Sequence, residues 1–380
     1  MRLTRFGLVT VAVSLFASVL PAADVDSLVK AIRSVDRESR GTREANKAVL
    51  ELSQQDVVAI PAVLAAFRGA NPLAVNYLRG AVEAIADRTL KSQKPLPTET
   101  LERLIRDSEQ DPRARRLAFE LVSRVDATAS DRIIPDMLLD PSPEFRRDAV
   151  ARLINTAEQQ LKDKNADAAK ASYKKALSGA TDEDQVKAIA KQLKELKEEI
   201  DLKKHFGFLT DWQFIGPFDN VGLIGFDTVY PPEEKLDLTA KYAGQKGEVV
   251  WSKFATDHEF GIFNVAKTIA PHKGAAMFGT TEFHSPAARV VELRLGTPNA
   301  WKIWLNGELL FGRDEYHRGM AIDQYRVRAE LKPGTNIILL KLCQNEQTDD
   351  WAQRYEFQLR VADLSGLGIG SQPSPTNTQK

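Results

Sequence analysis

The sequence predicts a two-part protein, paired α-helices followed by an antiparallel β-sandwich, and three observations lead there. From residue 25 to about 204, apolar residues recur at spacings of three and four, as in Leu117, Leu121, Val122 and Val125, or Val150, Leu153, Ile154 and Ala157; this is the period of amphipathic helices. Beyond about residue 206 the period becomes two. Val291, Leu293 and Leu295 alternate with Glu292 and Arg294, as do Tyr325, Val327, Ala329 and Leu331 with Arg326, Arg328 and Glu330, and Tyr355, Phe357, Leu359 and Val361 with Glu356, Gln358 and Arg360. Each run predicts a half-buried antiparallel strand. Finally, all five tryptophans and five of the seven tyrosines fall in the second part. A chain of 380 residues suggests two or three domains, each large enough for its own core.

The first residues read as a leader. Arg2 and Arg5 precede an uncharged apolar run from Leu8 to Leu20, and Pro21, Ala22 and Ala23 supply small residues before Asp24. Residues 1–23 are therefore expected to be a Sec-type signal peptide, and the protein to be periplasmic or extracellular. No cysteine follows the apolar run, which argues against a lipoprotein anchor, and the two arginines are not adjacent, which argues against the twin-arginine route. No later run of about 20 apolar residues occurs, so no membrane span is expected.

Charge excludes some partners. Lys+Arg and Asp+Glu each number 52. Residues 24–205 hold 32 basic and 31 acidic residues, and residues 206–380 hold 18 and 21. Neither part has the basic excess that nucleic acid or an anionic membrane calls for. The single cysteine, Cys343, lies in a strand-like run and is expected to be a buried thiol.

Within residues 24–155 a repeat is visible. Asn71-Pro72 precedes Leu78, Arg79 and Ala81; Asp111-Pro112 precedes Arg115, Arg116 and Ala118; Asp140-Pro141 precedes Arg146, Arg147 and Ala149. Asp or Asn caps a helix N-terminus, proline suits its first turn, and the arginines can reach acidic or carbonyl groups of a neighbouring repeat. Over roughly residues 50–155 the pattern resembles HEAT-like repeats, the short variety with an Asp-Pro opening and paired arginines, which implies an α-solenoid. Residues 156–205 are Ala-rich and resemble one tetratricopeptide-like hairpin. Its last helix, Glu183 to about Lys204, carries the stripe Ile189, Leu193, Leu196 and Ile200 and is expected to cap the stack or act as a stiff connector.

In residues 206–365, Asn306-Gly307 predicts a two-residue hairpin turn and Pro333-Gly334 another turn. Many short strands with regular turns imply a sandwich or jelly roll. Trp301 and Ile303 are expected to face its core. The Trp304-Leu305-Asn306-Gly307 hairpin, with Leu331-Lys332-Pro333-Gly334-Thr335-Asn336 and Lys341 on the partner strand, resembles galactose-binding-like jelly rolls. The opening Trp212-Gln213-Phe214-Ile215-Gly216-Pro217-Phe218-Asp219-Asn220 resembles that of such sandwiches in large exported proteins of environmental bacteria, planctomycetes in particular. The resemblance covers about residues 207–364 and implies a fold. That superfamily includes carbohydrate-binding modules, ancillary domains of glycosidases and domains without a known ligand. Residues 366–380 are rich in Gly, Ser, Pro, Thr and Gln and are expected to be disordered, with Gly366-Leu367-Gly368-Ile369-Gly370 a linker.

No G-x-S-x-G, H-E-x-x-H, Walker or C-x-x-C motif occurs, so no catalytic residue is assigned. His258, His272, His284 and His317 lack metal-ligand spacing, and the pairs Asp314-Glu315 and Asp349-Asp350 are adjacent, unlike glycosidase carboxylates, which face each other across a cleft. No cofactor is expected; the resemblance leaves room for a structural calcium held by loop oxygens, with no ligands assigned. A sugar site needs an aromatic face and planar polar groups. The loop from Gly312 to Arg318 and the loop from Gln344 to Arg354 contain both kinds. The candidate carbohydrate-binding residues are Trp351, Tyr316, Arg313, Asp314, His317 and Asp349. The competing role for Trp351 is packing at the core edge, and its exposure discriminates the two. The expected function is an exported binding or scaffold protein, its sandwich holding carbohydrate and its helical repeats a protein partner. The alternatives are an envelope scaffold with two protein-binding domains, and a glycan-processing enzyme or its ancillary subunit.

Overall fold

The computed structural model describes residues 24–372, apart from 37 and 39. The expected signal peptide, residues 1–23, and residues 373–380 lie outside the described residues. The chain divides into two compact units, one ending at Ala129 and the other beginning at Ser130. The helices from 143 to 206 belong to the same unit as the sandwich.

The first unit contains helices α1 (Val25–Arg33), α2 (Thr42–Leu52), α3 (Ile60–Ala65), α4 (Pro72–Lys91), α5 (Thr98–Arg106) and α6 (Pro112–Ser123). The repeat signature has a local physical basis here. Asn71 Oδ1 accepts from the backbone N–H of Ala74 at 2.9 Å, Asp111 Oδ1 accepts from that of Arg113 at 2.9 Å, and proline follows each cap. The Arg115 side chain is fully buried, its Nε donating to the Ile105 carbonyl at 2.7 Å. Arg79 reaches Glu120 on α6 at 2.7 Å. These guanidiniums tie helix to helix.

The second unit begins within α7 (Ala129–Ile133), followed by α8 (Pro143–Lys162), α9 (Ala166–Gly179), α10 (Glu183–Glu195) and α11 (Leu202–Phe206). The third Asp-Pro pair behaves differently from the first two. The cap of α8 is Ser142 and the N-terminal proline is Pro143, while Asp140 stands outside the helix and its carboxylate accepts from the Ser142 N–H. The single helix expected over 183–204 is broken, because α10 stops at Glu195 and Lys197 takes a φ of 61°. The break turns Leu202 and Phe206 onto the apolar cluster that α8, α9 and α10 share with Phe208 and Phe260. The hairpin therefore packs against the sandwich.

The strands are β1 (Asp211–Asp219), β2 (Lys241–Gly244), β3 (Gly247–Val250), β4 (Ser252–Ala255), β5 (Phe263–Asn264), β6 (Ala275–Ser285), β7 (Arg289–Gly296), β8 (Ala300–Leu305), β9 (Glu308–Arg313), β10 (Tyr325–Leu331), β11 (Gly334–Gln344) and β12 (Glu356–Ala362). They form a six-stranded sheet of order β4-β1-β6-β11-β8-β9, a four-stranded sheet of order β10-β7-β12-β5 and the small ribbon β2-β3, with antiparallel pairing throughout. One core lies between the two larger sheets. Trp301, Ile303, Leu340 and Leu342 meet Val291, Leu293, Phe357 and Leu359 there, all of them buried. Trp301 and Ile303 are fully buried, as the sequence predicts.

Two further expectations fail. β12 is buried on both faces, where the alternation predicts one solvated face. Arg360, 1% exposed, donates to the carbonyls of Phe206 (3.0 Å) and Gly366 (3.2 Å), so α11 and the C-terminal segment cover its outer side. The second failure is the expected disorder from 366. Up to residue 372 the segment is ordered: Ile369 N–H donates to Val361 O at 2.8 Å, Gln372 N–H to His284 O at 3.0 Å, and Gly368 bridges Ala362. Gly368 is glycine because a Cβ there would meet the carbonyl of His205 at 2.4 Å. The glycine run is a close-packing device and not a linker. Among the described residues, no helix is long and apolar enough to cross a membrane.

Candidate functional site

The motifs that carry the family resemblance hold the sheet together. Asn306 (φ 53°) and Gly307 (φ 87°) form the hairpin turn between β8 and β9. Asn306 Nδ2 donates to Asn336 Oδ1 at 3.0 Å, and Asn306 Oδ1 accepts from the Ile337 N–H at 3.0 Å. Asn336, fully buried, also donates to the carbonyls of Lys332 and Gly334. The two asparagines thus lock one turn to the next. Lys341, five residues on, points to the outer face of the larger sheet and donates to Thr228 O (2.8 Å), Phe226 O (3.2 Å) and Glu233 Oε1 (2.7 Å). It pins the 220–234 segment, including α12 (Pro231–Glu234), over that face. Cys343 lies beside it, fully buried, with burial pushing its thiol up to about 12. Neither group is presented to a substrate.

At the opposite end of β8 and β11, the loops after β1, β9 and β11 converge. Asn220 is fully buried; its Nδ2 donates to Gln344 O at 3.0 Å and to the Tyr316 hydroxyl at 3.2 Å. Burial raises the Tyr316 phenol well above its ordinary range. His317 takes φ 56° and its Nε2 lies 2.8 Å from Asn345 Oδ1. The His317 and Trp351 rings meet edge to face, with centroids 5.0 Å apart and an interplanar angle of 85°. Trp351 itself is 60% exposed, on a 3-10 turn from Asp350 to Ala352. Glu346 Oε2 accepts from the Gly222 N–H at 2.9 Å and joins the loop after β11 to the loop after β1.

The six candidate residues divide. Tyr316, His317 and Trp351 come together through Asn220 and Asn345. Asp349 is exposed on the same turn as Trp351, where its carbonyl accepts from the Ala352 N–H at 2.9 Å. Arg313 turns away, its guanidinium 5.9 Å from the Phe311 ring centre at the β9 edge. Asp314 has its carboxyl raised by burial and by nearby Asp227, on the side of the loop towards Lys302. Asn220, Asn345 and Glu346 were not singled out by the sequence. The signals available were the motif that ends at Asn220 and the polar run Gln344-Asn345-Glu346-Gln347 directly after a strand.

Among the described residues no group of three or more His, Cys, Asp or Glu side chains could hold a metal ion. A cavity of about 550 Å³ lies elsewhere, on the outer face of the larger sheet between Gln213, Lys253, Thr280 and Glu282 and the aliphatic walls Leu236 and Leu238. Its neighbouring tryptophan, Trp212, is 2% exposed and offers no open ring face.

No family model matches the chain, and no curated protein matches it. Solved structures similar to part of it include an anti-sigma factor domain-containing protein (10% identity, TM-score 0.24, covering 44% of this chain and 48% of that one). The Faecalibacterium prausnitzii beta-glucuronidase is similar at 19% identity and TM-score 0.21, over 36% and 21% of the two chains. An alpha-xylosidase from Xanthomonas citri is similar at 11% identity and TM-score 0.20, over 41% and 16%. The chain spans less than half the length of each of these. At such scores the likenesses carry no functional inference.

Proposed function

We propose that the chain is an exported, non-catalytic binding protein whose sandwich holds carbohydrate at the Trp351 end and whose helical repeats hold a protein partner. In this reading residues 1–23 are a Sec-type signal peptide. The helices of the first unit are HEAT-like solenoid repeats, and residues 156–205 are a tetratricopeptide-like hairpin. The sandwich is a galactose-binding-like jelly roll of the kind found in exported planctomycete-type proteins.

The observation that carries the carbohydrate site is the exposure of Trp351. Burying a large apolar side chain stabilises by about 1.5–3 kcal/mol, and a tryptophan left 60% exposed on a ring-braced turn forgoes much of that. A flat aromatic face held rigid beside an imidazole and side-chain amides matches the C–H faces and hydroxyls of a sugar. No residue is assigned a catalytic step. A second reading, an envelope scaffold with two protein-binding domains, draws support from Val221, Leu223 and Ile224, which are 43–54% exposed on the loop that Glu346 anchors. Screening the full chain against a glycan array and insoluble polysaccharides tests the proposal. Capture of a defined glycan class supports it; no capture by the folded protein favours the scaffold.

A further inference from the structure

Four strands border the two larger sheets: β4 and β9 on one, β10 and β5 on the other. An open edge presents unpaired backbone N–H and C=O groups, and monomeric proteins blunt it with charge or brevity. β5 has two residues. β10 exposes Arg326, Arg328 and Glu330, and β4 exposes Ser252, Lys253 and Ala255. β9 differs, since its exposed positions include Leu309 (50%) and Phe311 (46%).

The facing of β9 is also specific. Its pairing with β8 shifts register between Ile303 and Trp304, so Leu310 is an extra residue: Phe311 stands opposite Ile303, Leu309 opposite Trp304, Glu308 opposite Leu305, Gly312 opposite Lys302 and Arg313 opposite Trp301. Directly opposed residues share a face of the sheet. Leu305, Ile303 and Trp301 belong to the inter-sheet core, so Glu308, Phe311 and Arg313 stand on the core-side face, and Leu310 also packs against that core. Leu309 and Gly312 stand on the outer face. In a regular strand Glu308 and Arg313, five apart, would lie on opposite faces; the bulge brings both to one. The strand therefore reads the same from either end: charge, outer residue, apolar pair, outer residue, opposite charge.

We propose that β9 pairs antiparallel with β9 of a second copy of this chain, continuing the six-stranded sheet across a twofold axis. In the register that sets Glu308 against Arg313, Leu309 meets Gly312 and Leu310 meets Phe311, and the faces match at every position. The twofold generates two Glu–Arg pairs, and a contact that uses the same patch on both copies closes on itself as a dimer.

Sedimentation velocity of the full chain over a concentration series tests this. The expected result is a monomer–dimer equilibrium. Glu308→Arg alone and Arg313→Glu alone should each weaken it about tenfold, by opposing like charges, and Phe311→Lys should abolish it. A chain carrying both charge reversals restores complementarity and should recover the dimer. Glu308 and Arg313 are exposed, so at concentrations where the parent is monomeric the two charge reversals should leave the melting temperature at the parent value. A monomer at every concentration overturns the proposal, as does a dimer indifferent to the single reversals.

Discussion

The ammonium of Lys341 donates to the carboxylate of Glu233 at 2.7 Å, with the lysine side chain fully buried and the glutamate 8% exposed. Burial lowers the Lys341 pKa, and the Glu233 carboxylate opposes that shift. The remaining two donors of the ammonium go to main-chain carbonyls of the covering segment, so the charge is fully satisfied. Removing one partner of such a pair strands the other charge. Glu233→Gln is expected to cost about 3 kcal/mol in denaturant unfolding, and Lys341→Met a similar amount. The double substitution should recover much of the loss, because the uncompensated charge is gone. A double substitution that loses the sum of the two single losses would contradict the pairing.

Asp323 joins β7 and β12. It receives Arg360 at 2.6 and 2.7 Å and also receives Arg294. Burial pushes its carboxyl up, but the two guanidiniums outweigh it and hold the pKa below the usual carboxylate range. A carboxyl with a depressed folded pKa contributes stability that is present above its unfolded value of about 4 and lost as pH falls through the folded value. Asp323→Asn should therefore destabilise the protein by about 3 kcal/mol at neutral pH, with a shallower loss than the parent as acid is added below about pH 4. Thermal melts over a pH series measure both slopes.

Two glycines of the C-terminal segment make a paired test of its order. A Cβ on Gly368 would meet main-chain atoms of His205 and Phe206 at 2.4 Å, whereas one on Gly370 meets nothing within 4 Å. Gly368→Ala should cost about 1–3 kcal/mol by overpacking. Gly370→Ala should leave the melting temperature unchanged. Equal tolerance at both positions would mean the segment does not dock as described.

Much of this was legible in the sequence, because local chemistry suffices for it. The period-two runs report β7 and β10, Asn306-Gly307 reports a turn that needs positive φ twice, and Asn71-Pro72 and Asp111-Pro112 report helix starts. What was not legible depends on partners distant in the chain. Glu356, Gln358 and Arg360 read as a solvated face because nothing local announces that α11 covers it. The Gly366–Gly370 run has the composition of a linker, and only the approach of His205 and Phe206 shows why side chains are missing. Within the candidate site, Trp351 and His317 were legible as residue types on two loops. Their placement was not, because Asn345 holds His317 and Asn220 holds Tyr316 from distant positions in the chain.

In the proposed function Trp351 forms the floor of a carbohydrate site. The deciding measurement is a titration of the full chain, and of its Trp351→Ala variant, with the best glycan from an array, following heat by calorimetry. Exposure predicts that the variant keeps the parent's melting temperature, since little burial is lost. Loss of the ring platform should weaken binding by about tenfold or more, in keeping with roughly 0.5–1.5 kcal/mol for a ring contact plus the apolar area it covers. Equal binding by parent and variant, or a folded parent that binds no glycan, would contradict the account.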